Sequence, residues 1–110
     1  SVTTALQPQP TPIYCGFFFE YTCKECQRIF YLLNYLEKNH PNLVIRTFDL
    51  TNNDNKILYE VVAEKTGIPF RKRLIPATLF IGSDYLQHKN ITLNNINPIL
   101  AKYATYSGAR

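Results

Sequence analysis

"YTCKECQRIF", residues 21–30, sets two cysteines three positions apart where an aromatic, apolar run ends and a helical pattern begins. Upstream, "IYCGFFFEY" (13–21) is apolar at odd and even positions alike, as in a strand covered on both faces. Downstream of Cys26, residues Ile29, Phe30, Leu32, Leu33 and Leu36 recur at helical spacing until "KNHPN", where Pro41 stops the helix. The cysteine pair therefore stands on a strand-to-helix junction.

Working outward, "LVIRTFDL" (43–50) reads as a second buried strand. A helix should follow, with Ile57, Leu58, Val61, Val62 and Lys65 along its buried stripe and Gly67 and Pro69 as its stop. Strand, helix, strand, helix predicts a right-handed crossover and parallel pairing. After the loop "IPFRKRLIP" (68–76), "ATLFIG" (77–82) is a strand, "GSD" (82–84) a tight turn and "YLQHK" (85–89) its antiparallel partner. Leu93, Ile96, Ile99, Leu100 and Tyr103 mark a last helix, in which Pro98 should open the main part, with Asn97 as its cap. The expected fold class is α/β, a central mixed four-stranded sheet in the order β-α-β-α-β-β-α flanked by helices. Residues 1–12, with three prolines, read as a linker or tail, leaving 13–110 as one domain.

Composition agrees with a folded chain. Of 110 residues, 45% are hydrophobic and 18% charged, which is too apolar for a disordered segment and long enough for one modest core. The net charge of +4 is scattered except at Arg71-Lys72-Arg73, and a nucleic-acid surface would need a broader basic stripe on one element, so no nucleic-acid partner is expected. No apolar run approaches the roughly 20 residues of a membrane span. Three cysteines are an odd number and too few for a disulfide-stapled fold.

The pair has its own chemistry. Thr22 and Glu25 fit the S/T-x-x-E capping box, which predicts Thr22 as N-cap and Cys23 as the first helical residue. Helix positions three apart lie about 5 to 6 Å from each other, the Cα separation a disulfide needs. Cys23 would face the positive end of the helix dipole, which favours a thiolate, whereas Cys26 shares the stripe of Phe30 and Leu33 and should be buried. One thiol is placed to attack and the other to resolve. Zinc is the chemical competitor, but a second ligand pair is missing: His40 and His88 stand alone on expected surface segments. Cys15 lies eight residues back along the strand, more than ~20 Å away, and reads as core. Between the cysteines, Lys24 favours a thiolate and Glu25 opposes it, so the direction of electron flow stays open; a redox pair of this kind needs neither metal nor organic cofactor.

The strand-CxxC-helix junction, the βαβ half and "IPATLFIG" (75–82) before a hairpin and last helix together resemble the thioredoxin-like superfamily over about residues 13–106. The resemblance implies a cis proline facing the pair, which maps onto Pro76, and a preceding residue, Ile75, whose backbone grips a substrate strand. It implies a thiol-disulfide oxidoreductase with Cys23 and Cys26 as catalytic residues, Lys24 and Glu25 as the active-site dipeptide, and Thr22, Ile75 and Pro76 as substrate-binding residues. Expected partners are thiol- or disulfide-bearing proteins, with a membrane electron-transfer protein as a candidate, met by a monomer. The run from Leu58 to Leu86 is similar to small bacterial thioredoxin-like domains tethered outside the cytoplasmic membrane, which implies an extracytoplasmic, membrane-tethered or periplasmic location, with the cytoplasm as the alternative.

The sequence departs from thioredoxins proper. Thr22 stands where they have Trp, Lys24-Glu25 where they have Gly-Pro, and Phe17 where they place a buried acid six residues before the first cysteine. Glu20 is nearer the pair but belongs to the strand end. Arg71, Lys72 and Arg73 lead toward Pro76 and would, if near Cys23, favour its thiolate. The alternative reading is a non-catalytic thioredoxin-fold adaptor in a membrane redox or cytochrome-maturation assembly.

Overall fold

Seven residues, Ile13–Phe19, form β1, the strand against which the rest of the sheet is laid. The structure is a computed structural model that describes residues 11–108, so most of the Pro-rich 1–12 stretch lies outside the described residues. β1 pairs in parallel with β2 (Leu43–Asp49), Ile13 opposite Leu43 and Phe19 opposite Asp49. On its other side it pairs antiparallel with β3 (Thr78–Ile81), which is in turn antiparallel to β4 (Asp84–Gln87). The sheet order is β2-β1-β3-β4, a mixed four-stranded sheet as expected. Three helices, α1 (Cys26–Asn39), α2 (Asn53–Thr66) and α3 (Leu93–Gly108), complete an α/β fold compatible with a thioredoxin-like arrangement, and short 3-10 turns lie at Phe70–Lys72 and His88–Asn90.

Period-two alternation in β1 divides the core. Ile13, Cys15, Phe17 and Phe19 face one way and pack with Ile29, Leu33 and Leu36 of α1 and Ile96 and Leu100 of α3. Phe18 faces the other way, into a second cluster with Tyr59 and Ala63 of α2, Ile68 and Phe80. A strand with helices over both faces has to be apolar at consecutive positions, which is what "GFFF" supplies.

Three local expectations are corrected. The capping box does not form: α1 begins at Cys26 rather than Cys23, and residues 21–25 are turns. The cause is a better partner for Glu25, whose Oε1 accepts a charge-assisted bond from Arg28 Nε at 2.8 Å instead of returning to the Thr22 backbone. On α2 the buried residues are Tyr59 and Ala63, while Ile57 and Val61 are exposed. A tyrosine ring buries more area than the aliphatic residues, its hydroxyl finds Thr78 Oγ1 at 2.9 Å, and Ala63 lets the helix approach. Finally, α3 runs through Pro98. Thr92 caps the helix from just before Leu93, its hydroxyl accepting from Asn95 N–H at 3.2 Å, so Pro98 forfeits only the bond to the exposed Asn94.

Gly67 closes α2 in the left-handed conformation (φ 79°) and donates to Ala63 O at 2.9 Å, the stop the sequence announced. Gly82 in the β3–β4 turn also has positive φ (57°), and a Cβ there would collide with the Tyr103 ring. Gly82→Ala is therefore expected to cost about 1–3 kcal/mol, read as a lowered midpoint in thermal or urea unfolding. A midpoint equal to the parent's would contradict the packing described for Tyr103.

Candidate active site

Cys23 and Cys26 are joined as a disulfide, their Cα atoms 5.3 Å apart, at the start of α1. The turn between strand and helix makes that geometry: Cys23 N–H donates to Glu20 O at 3.1 Å and Cys26 N–H to Cys23 O at 3.3 Å. Cys26 is 3% exposed within the α1–α3 core, whereas Cys23 is half-buried at its margin. The two sulfurs differ in accessibility as the helix stripe predicted.

A cavity of about 400 Å³ opens over the pair, lined by Glu20, Thr22, Cys23, Lys24, Glu25, Pro76 and His88. The fold thus gathers Thr22, Lys24, Glu25 and Pro76 around Cys23. Ile75 is not on that wall. Its carbonyl accepts from Thr78 Oγ1 at 2.6 Å, directed into the protein. The only cis peptide bond among the described residues joins Pro76 to Ala77, one bond later than the Ile75–Pro76 position implied by the resemblance.

The loop ahead of Pro76 is held from beneath by a polar network. Tyr59 Oη meets Thr78 Oγ1, and Gln87 Nε2 donates to Lys72 O at 2.8 Å and to Thr78 Oγ1 at 3.1 Å. Burial raises the Tyr59 pKa, opposed by hydrogen bonds from Thr78 and Gln87 and from the backbone of Ile75 and Leu74. Such a network fixes where Pro76 stands relative to Cys23.

The basic triplet does not reach the cavity lining, and Arg73 is engaged elsewhere. Arg73 turns back onto α2, bonding Glu60 at 3.2 Å, Glu64 at 3.3 Å and Ile68 O at 2.8 Å, with its guanidinium over the Phe70 ring. Arg71 and Lys72 are exposed, and none of the three lines the cavity. Arg73 is a fastener between loop and helix.

His88 is exposed, as expected from the sequence, but it is not isolated: it lines the cavity together with Cys23. It lies one position past the end of β4, and the hairpin carries it back to Pro76: Thr78 pairs with Gln87, so His88 falls opposite Ala77, and its N–H donates to Ala77 O at 3.0 Å. Counting back from the turn at Gly82-Ser83 would have found it. Arg28 then ties this segment to α1, donating through Nη1 to Ile91 O at 2.8 Å and through Nη2 to His88 O at 3.3 Å.

Cys15 is free and buried in β1. Burial pushes its thiol up to about 12, so its contribution to stability is present below the ordinary thiol range and lost as pH climbs toward that value. In the reduced native protein an alkylating reagent should label Cys23 and leave Cys15 untouched until denaturant is added, as read by mass spectrometry of digests. Labelling of Cys15 at the rate of Cys23 would contradict its burial.

Among the described residues, no group of three or more His, Cys, Asp or Glu is placed to hold a metal, and no helix is long and apolar enough to cross a membrane. Compared with known proteins, the chain matches no family and no curated sequence.

Proposed function

We propose that this chain is a thioredoxin-like thiol-disulfide oxidoreductase that exchanges disulfides with protein partners through Cys23 and Cys26. The observation that carries the reading is the unequal pair: a half-buried sulfur and a buried one, at disulfide separation, at the start of a helix and beneath an open cavity walled by Pro76. In the oxidised protein a partner thiolate attacks Cys23 Sγ, forming a mixed disulfide while the Cys23–Cys26 bond breaks and its electron pair leaves on Cys26. A second partner thiolate then attacks the partner's own sulfur and releases Cys23, so the partner is oxidised by two electrons and the pair reduced. In the opposite direction Cys23 attacks first and Cys26 resolves. The first turn of α1 supports the released thiolates with its N–H groups and dipole.

Thr22, Lys24 and Glu25 form the rim a partner meets and Pro76 the facing wall, while the Ile75 carbonyl is spent on Thr78. The partners proposed are thiol- or disulfide-bearing proteins, and the location proposed is extracytoplasmic. The test is catalysed reduction of a small-molecule disulfide, together with the equilibrium reduction potential of the pair. Turnover above that of free dithiol supports an enzyme. Turnover no better than free dithiol would instead support the non-catalytic adaptor.

A further inference from the structure

We propose that His88 is the proton-exchanging group for the Cys23 sulfur, an inference that rests on the redox reading of the pair. Thiol-disulfide exchange needs a thiolate to attack and a proton for whichever thiolate is left, so a titratable group beside the exposed sulfur sets its rate near neutrality. In β1, Phe17 is fully buried among the rings of Phe19 and Phe30 and offers no proton acceptor. His88 is instead brought to the cavity that exposes Cys23.

Its placement is built. The residue is in the left-handed region at φ 52°, where histidine is one of the better-tolerated side chains, and its backbone is fixed on both sides by Ala77 O and by Arg28. Other charged groups share the site. Glu25 lines the cavity but is engaged by Arg28 at 2.8 Å, Lys24 brings an ammonium group that donates and does not accept, and Glu20 is the remaining carboxylate on the wall. Lys89, next along the chain, is exposed and not on the lining. His88 is the cavity's one imidazole among the described residues, the side-chain type that serves both as proton donor and as proton acceptor.

As an imidazolium it stabilises the Cys23 thiolate. It passes its N–H proton to that sulfur or to the partner's leaving thiolate, and recovers it from solvent. Arg28 is the positioning residue that keeps it there.

The test titrates the thiolate ultraviolet absorbance of the reduced protein, with Cys15 silent, and follows alkylation of Cys23 against pH. His88→Asn suits the left-handed backbone and removes the charge, so it should fold. It should lower the thiolate fraction at mildly acidic pH about tenfold, the effect of one neighbouring opposite charge, and remove one step from the pH profile. Arg28→Gln should shift the profile the same way by less, with unfolding midpoints tracking the loss of the clamp. An unchanged profile in His88→Asn, or loss of the step in Glu20→Gln instead, overturns the proposal. Because the thiolate titration needs no partner, it reads His88 even where disulfide turnover fails, so failure of the redox reading is recognised separately.

Discussion

Cys23→Ser is expected to reduce disulfide exchange to the uncatalysed rate, and Cys26→Ser to leave a mixed disulfide that accumulates on Cys23. A serine hydroxyl is not ionised near neutrality and does not open a disulfide, whereas loss of Cys26 removes only the thiol that resolves the intermediate. The different accessibility of the two sulfurs makes the outcome asymmetric: a partner reaches Cys23 from the cavity and does not reach Cys26, which is 3% exposed. Non-reducing electrophoresis and intact mass read the trapped adduct, and a small thiol should release it. Measured against the reduced parent, Cys23→Ser should change stability by no more than about 0.5 kcal/mol, so lost activity cannot be lost fold. Adducts that form equally on Cys26 in Cys23→Ser would contradict the assignment of nucleophile and resolving thiol.

Phe18→Ala should carry the largest stability cost of any single truncation discussed, about 3–5 kcal/mol, measured as a reduced midpoint in urea with the slope retained. Phe18 is 1% exposed and its ring touches three others: Phe48 at 4.8 Å, Tyr59 at 5.0 Å and Phe80 at 5.6 Å between centroids. Phe48 and Phe80 belong to the sheet and Tyr59 to α2, so the Phe18 ring lies in the seam between them and no neighbour can collapse into the void without leaving its own contacts. Against a total of about 5–15 kcal/mol for a domain, the variant sits near the threshold of folding. Tyr14→Ala on the same strand face is the control: Tyr14 is 66% exposed and should cost about 0.5 kcal/mol or less. Equal losses from the two would mean that the second core cluster does not hold the helix. Because Tyr59 also bears the network under the Pro76 loop, Phe18→Ala should loosen the active-site wall before global unfolding, visible as faster amide exchange around Thr78.

Much of this was legible before any coordinates. The aromatic run of β1 had to be a covered strand, "CKEC" had to sit at its helical exit, the glycine and prolines after Lys65 had to stop α2, and the short turn at Gly82 had to make a hairpin. These are local rules of period, punctuation and turn length, and they fix element order and so the α/β class. The accessible and buried roles of Cys23 and Cys26 followed from the same periodicity.

What the chain did not reveal one segment at a time depended on contacts between distant residues. Glu25 could cap Thr22 or pair with Arg28, and only the folded position of Arg28, anchored to Ile91 and His88 sixty or more residues away, selects the ion pair and starts α1 at Cys26. Tyr59 displaced the aliphatic stripe of α2 because Thr78 and Gln87 wait beneath it. Arg73 stands away from the cavity over Cys23 because Glu60 and Glu64 lie in reach. His88 entered it because an antiparallel register returned the end of β4 to Pro76. Periodicity and punctuation act within a few residues, so the sequence by itself determined the elements and the cysteine pair. Side-chain partnerships are competitions settled by proximity in space, so only the tertiary structure decided which charges and which histidine share a cavity with Cys23.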